Sequence, residues 1–209
     1  MKPDQPKAIH LKDYQAPAYL VENIYLTFEL GATTTVTSLL NIKAELNTAQ
    51  QPLVLDGIDL ELVSISINQK PLSTNDYTVS DEQLTITKVP DAFSLEIITK
   101  IKPDENTSLD GLYQSSGNFC TQCEAEGFRK ITYFLDRPDV MTSFTVKVIA
   151  DKSNYPVLLS NGNLIEEGKL NDGLHFAVWH DPHRKPCYLF ALVAGKLKYI
   201  EDHFVTQSG

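Results

Sequence analysis

From Ile24 onward, apolar side chains recur at every second position, and no window carries a sustained helical stripe. Ile24, Leu26, Phe28 and Leu30 alternate with Tyr25, Thr27 and Glu29, the mark of a half-buried strand. After Gly31-Ala32 the pattern resumes at Val36, Leu40, Ile42 and Leu46, interrupted by Ser38 and Ala44. Val63, Ile65 and Ile67 form another run, ending at the turn cluster Asn68-Gln-Lys-Pro71. Shorter runs follow at Tyr77 and Val79, at Leu84 and Ile86, at Phe93 to Ile97 and at Phe144 to Val148.

Asn161-Gly162 after Val157–Ser160 is a turn dipeptide between apolar runs, and Asn171-Asp-Gly173 introduces a hairpin-like step to Phe176 and Val178. Tyr188 to Val193 is continuously apolar, as a strand covered on both faces would be. The spacing predicts roughly a dozen strands and an all-β sandwich or large twisted sheet. One short helix is expected at Asp136–Met141, with Asp136 as N-cap. From Pro103 to Asp139 alternation lapses over a length unusual for a connection, and binding chemistry tends to sit in such segments.

The chain can bury a core: 42% of its 209 residues are hydrophobic, which excludes wholesale disorder. Its formal net charge of -9 argues against generic nucleic-acid binding and against adhesion to anionic membranes. Met1–Lys7 leads into polar sequence with no apolar signal region, and no run approaches the roughly 18 apolar residues that span a bilayer. Three cysteines, Cys120, Cys123 and Cys187, are too few for a disulfide framework. A cytoplasmic protein with reduced thiols is expected.

Familiar catalytic motifs are absent. No histidine is followed by Glu, so the helical His-Glu-x-x-His zinc site is missing. No nucleophile elbow and no phosphate-cradling loop occur. Cys120-Thr-Gln-Cys123 with His180-Asp-Pro-His183 could form a structural zinc site, although the spacing fits no common module. The segment Gln122-Cys-Glu124-Ala-Glu126-Gly-Phe-Arg129 is more distinctive. On an extended backbone Gln122, Glu124 and Glu126 would share one side, offering an amide oxygen and carboxylates to a primary ammonium with its three donors. The competing reading is a solvated acidic loop with Glu126 paired to Arg129.

The same segment, followed by Asp136-Arg-Pro138-Asp139, resembles the N-terminal domain of the aminopeptidase N family, zinc-dependent gluzincin peptidases, in its bacterial branch. Gly111-Leu-Tyr-Gln-Ser115, Ser160-Asn-Gly162 and Cys187-Tyr-Leu-Phe-Ala-Leu-Val-Ala-Gly195 are similar to further family landmarks. The resemblance implies a large saddle-shaped β-domain that precedes a thermolysin-like catalytic domain carrying the zinc, its ligands and the general base. It implies that Glu124 binds the free α-amino group of a peptide substrate, with Gln122 lining the same pocket. Arg129, Asp136 and Pro138 would be scaffold for that loop.

On this pattern residues 1–195 form the N-terminal β-domain, and 196–209 begin the connection into the partner catalytic domain. The chain lacks the family's Gly-x-Met-Glu-Asn loop, zinc helix and downstream Glu. It is therefore expected to hold no catalytic residue, to bind no zinc or other cofactor, and to be inactive alone. The alternative from another class is a free-standing, non-enzymatic β-sandwich module that uses the acidic loop for a cationic ligand.

Overall fold

The computed structural model describes residues 10–45 and 51–209. The reading of Met1–Lys7 and the place given to Leu46 lie outside the described residues. Fifteen strands are present among those described, with only three single turns of 3-10 helix. The fold is all-β, as the alternation predicts.

In chain order the strands are β1 (Tyr19–Glu29), β2 (Thr34–Ala44), β3 (Leu53–Asp56), β4 (Glu61–Ile67), β5 (Lys70–Pro71), β6 (Tyr77–Val79), β7 (Gln83–Ile86) and β8 (Ala92–Ile101). After them come β9 (Gly111–Ser115), β10 (Asn118–Gln122), β11 (Thr142–Asp151), β12 (Val157–Ser160), β13 (Asn163–Lys169), β14 (Leu174–Lys185) and β15 (Leu192–Gly195). Eight of them build one sheet in the order β13-β14-β11-β1-β2-β8-β4-β5. A four-stranded sheet, β12-β15-β10-β9, and a three-stranded one, β3-β7-β6, complete the structure. All pairings are antiparallel except β1 with β11, which run side by side in the same direction.

One face of the large sheet is the core floor. Phe28, Leu26 and Ile24 on β1 stand beside Val36, Ser38 and Leu40 on β2 and beside Val148, Val146 and Phe144 on β11, all buried. A β-bulge between Val21 and Asn23 lets Val21 and Ile24 both face inward although three positions separate them. Polar residues on this floor find carbonyl partners, as burial requires. Ser38 Oγ donates to the Ile97 carbonyl at 3.3 Å and lies 3.0 Å from Thr132 Oγ1, and Thr99 Oγ1 donates to the Ile131 carbonyl at 3.2 Å. Those last contacts lay the segment after β10 across the floor. Phe128 packs edge-on against Phe134, Phe144 and Phe190, with ring centroids 5.1, 6.0 and 5.3 Å away.

The structure corrects several expectations. Val63 does not share the buried face of Ile65 and Ile67: the register of β4 on β8 shifts between Leu62 and Ser64, and Val63 is turned out to solvent. No helix forms at Asp136–Met141; the segment is irregular with a turn at Pro138-Asp139, and Asp136 is drawn inward to other partners. Tyr188–Val193 is not one strand, since a 3-10 turn at Cys187–Leu189 precedes the short β15. Asn161-Gly162 turns the chain between two sheets rather than closing a hairpin, because β12 pairs with β15 and β13 with β14. Within the stretch from Pro103 to Asp139 lies a regular hairpin, β9–β10.

Candidate functional site

That hairpin aims the distinctive motif. Gln122 is the last residue of β10, paired with Gly111 at the start of β9. The chain then reverses through Cys123–Gly127, closed by the Gly127 amide donating to the Cys123 carbonyl at 2.9 Å. Glu124 thus sits on a turn, not on extended backbone, and the shared strand face expected for Gln122, Glu124 and Glu126 does not exist. The two residues are joined differently: Gln122 Nε2 donates to the Glu124 carbonyl oxygen at 3.2 Å, and the Glu124–Ala125 peptide is cis.

The two glutamates part company here. Both are exposed, but Glu126 Oε1 lies 3.2 Å from Arg129 Nη2, as the solvated-loop reading expects. Among the described residues the Glu124 carboxylate has no intramolecular partner, so its charge and lone pairs are free for a ligand. A carboxylate on a fixed turn with a neighbouring amide can accept charge-assisted hydrogen bonds from a primary ammonium.

Beneath the turn the packing leaves little freedom. A side chain at Gly127 would place its Cβ 2.3 Å from the Gln122 carbonyl oxygen and 2.9 Å from the Gly111 nitrogen, so only glycine lets the turn close against the hairpin. Phe128 then plunges into the core. Arg129 follows, and its backbone N–H and its Nε both donate to Asp136 Oδ2, at 3.1 and 2.9 Å; its Nη2 reaches the Asp136 carbonyl at 3.2 Å. The Asp136 side chain is 1% exposed, and its other oxygen accepts from the Cys187 thiol at 2.9 Å. Burial, and then the negative charge of Asp136, push the Cys123 and Cys187 thiols well above the usual cysteine range.

The motif's second half anchors the N-terminal segment. Arg137 forks onto Asp139, with Nε to Oδ1 at 2.9 Å and Nη2 to Oδ2 at 2.7 Å, and also donates to the Gln15 carbonyl at 2.8 Å. Tyr14 donates its hydroxyl to Asp139 Oδ2 at 2.9 Å. The Arg137 hydrogen bonds hold the Asp139 carboxyl below the usual carboxylate range. A lowered folded-state value means that the contribution to stability is full above the unfolded value and is lost as pH falls through the folded one. Asp139→Asn should therefore shrink the loss of urea stability between neutral pH and about pH 3. An acid loss equal to that of the parent would remove Asp139 from the acid-labile groups.

The residues considered for structural zinc form no metal-holding group among the described residues, and His183 is exposed. Cys123 is buried facing Asp136, Cys120 is half-buried on β10, and His180 Nδ1 bonds Thr145 Oγ1 at 3.0 Å. Among the described residues no group of three or more His, Cys, Asp or Glu is placed to hold a metal ion. Those residues likewise contain no helix long and apolar enough to cross a membrane. A cavity of about 530 Å³ is bordered by Lys100, Lys102 and Lys130 with Asp59 and Glu61, and neither Gln122 nor Glu124 lines it.

Sequence reasoning misses two parts of the site. Gly127 stands in the sequence as one loop glycine among several, and nothing local marks it as the point where backbone approaches backbone. The link from Cys187 to Asp136 spans 51 positions, and no local pattern announces it.

Comparison with known proteins gives a consistent result. The model of the peptidase M1 N-terminal domain matches residues 16–189. Aminopeptidase N of Escherichia coli strain K12 is 50% identical over 205 residues, covering 98% of this chain and 23% of its own length. Aminopeptidase N of Haemophilus influenzae is 50% identical over 206 residues, covering 97% and 24%. The crystal structure of Legionella pneumophila aminopeptidase A in complex with aspartic acid superposes with a TM-score of 0.90 at 38% identity, over 95% of this chain and 24% of that one. An M1 zinc metallopeptidase from Deinococcus radiodurans, bound to a Tyr-Ser-Ala substrate, shares the fold with a TM-score of 0.73 at 18% identity, covering 85% and 42%. The chain spans about a quarter of the length of the curated relatives it matches.

Proposed function

The chain belongs to the peptidase M1 N-terminal domain family, and on that premise we propose that it is the amine-recognising domain of a zinc aminopeptidase that removes N-terminal residues from peptides. Residues 1–195 would form the domain and 196–209 would lead into its partner, the catalytic domain. Gln122 and Glu124 would bind the substrate's free α-ammonium. The observation that carries this reading is the Glu124 carboxylate: it is unpaired among the described residues, on a turn braced from below. Zinc would be held by the catalytic domain and would there polarise the scissile carbonyl and activate water.

The chemistry accounts for a preference for peptide ends. An α-ammonium brings three donors, whereas an acylated or internal nitrogen brings at most one and no charge. On this chain alone Glu124 faces solvent. Once the catalytic domain covers it, a blocked peptide would leave a desolvated carboxylate without a partner, and that penalty rejects it. The three free thiols suit a reducing compartment, and we place the protein in the cytoplasm.

The test compares an alanyl chromogenic amide with its N-acetyl form. The full-length protein should turn over the free amine and not the acetylated one, and the 209-residue chain alone should turn over neither. Turnover by the isolated chain with stoichiometric zinc would overturn the assignment of roles. Equal turnover of both substrates by the full-length protein would overturn amine recognition.

A further inference from the structure

The amine-recognition reading leaves one buried contact unused. Cys187 follows Pro186 and opens the 3-10 turn ahead of β15; it is 1% exposed, and its thiol donates to Asp136 Oδ1 at 2.9 Å. The opposite oxygen of the same carboxylate accepts from Arg129 N–H and Nε, while Arg129 Nη2 reaches Glu126 Oε1 at 3.2 Å inside the turn. An unbroken line of charge-assisted contacts thus runs from Cys187 through Asp136 and Arg129 to the segment that carries Glu124.

We propose that Cys187 is a positioning residue for the Gln122–Glu124 turn, its thiol proton fixing Asp136 so that Arg129 can hold the turn from below. This rests on the reading of that turn as the ammonium site. The argument is one of satisfied valence. The Asp136 carboxylate is shut away from water, so each oxygen needs a donor from the protein. Arg129 supplies one oxygen and Cys187 the other. Burial and the field of Asp136 keep the Cys187 thiol protonated at neutral pH, the form in which it can donate. Without that proton Oδ1 would seek another donor, and Arg129, already bonded to the other oxygen of the same carboxylate, would be drawn off its position.

The experiment uses the full-length protein with Cys187→Ala, Cys187→Ser and Glu124→Ala, reading free-amine kinetics and hydrogen exchange at the Gly127 and Arg129 amides. Cys187→Ala should raise KM roughly tenfold, with kcat held within about twofold, and should speed exchange at both amides. Cys187→Ser, which restores a donor, should return both readouts toward the parent. Loss of thermal stability in both cysteine variants with unchanged KM and unchanged exchange would mean the thiol only fills space, and would overturn the proposal. If Glu124→Ala leaves both KM and kcat unaltered, the amine reading falls by itself. The exchange data then decide the positioning role: faster exchange rescued by serine sustains it, and unaltered exchange removes it. Should Cys187→Ala fail to fold, Cys187→Val takes its place, filling the space without a donor; a rise in KM with faster exchange supports the proposal, and an unchanged KM overturns it.

Discussion

Glu124→Ala in the full-length protein is expected to lower kcat/KM for free-amine substrates by about 2–5 kcal/mol, roughly thirtyfold to several thousandfold. The range follows from removing one partner of a desolvated, hydrogen-bonded charge pair. If the ammonium is held equally in ground and transition states, the loss falls on KM; if the hold tightens as the peptide bond breaks, kcat falls too. Folding should be indifferent, because the side chain is exposed and its carboxylate has no hydrogen-bond or ion-pair partner among the described residues, so stability should change by no more than about 0.5 kcal/mol. Glu126→Ala is the comparison: it removes a neighbouring charge already spent on Arg129 and should cost no more than the roughly tenfold expected when the bracing of the turn is loosened. Steady-state kinetics on both variants decide the matter, and unaltered kinetics for Glu124→Ala would take that residue out of the site.

Arg129→Met should destabilise the fold by about 3 kcal/mol, near the lower end of what breaking a buried ion pair costs. The Arg129 side chain is 16% exposed and that of Asp136 1%, so methionine would leave a carboxylate that water cannot reach. Two donors remain, the Arg129 backbone N–H and the Cys187 thiol, and they keep the cost from the top of the range. For a chain of 209 residues this corresponds to a fall in thermal midpoint of roughly 6–12 °C. Arg129→Lys should recover only part, since an ammonium cannot reproduce the contacts of Nε and Nη2 to Asp136 together. A loss under about 1 kcal/mol, measured by urea unfolding, would show the pair to be no stronger than one at the surface.

What the sequence discloses here depends on the range of the interaction. Alternation is local and period two is unambiguous, so strands such as β1, β2, β8 and β11 and most of their buried faces can be read directly. Failures begin where a neighbour decides. Val63 keeps the alternation of Ile65, but a bulge against β8 turns it outward. Tyr188–Val193 is as apolar as a strand, yet Pro186 and the inward pull of Cys187 on Asp136 coil its first part. Asp136 has the chemistry of a helix cap, but a half-buried arginine holds it instead.

The site shows the same division. Composition could not separate Glu124 from Glu126, because both are acidic residues in one loop. The difference between them is that Arg129 takes one and leaves the other, which is a matter of side-chain reach. The fit of Gly127 against the Gln122 carbonyl and the closing contact from Cys187 likewise arise only once the hairpin and the 3-10 turn meet.

The pairing of β1 with β11 has a consequence for how such a chain comes off the ribosome. Thr142 Oγ1 bonds the Val21 carbonyl across 121 positions, so the central strand of the large sheet waits for one of its two neighbours until most of the chain exists. At elongation rates of about 5–20 residues per second, that wait is on the order of ten seconds. Throughout it, one edge of β1, with the backbone groups meant for β11, has no native partner to pair with. Nascent-chain protection, by a chaperone or by provisional pairing, is therefore a demand of this topology from its first strand.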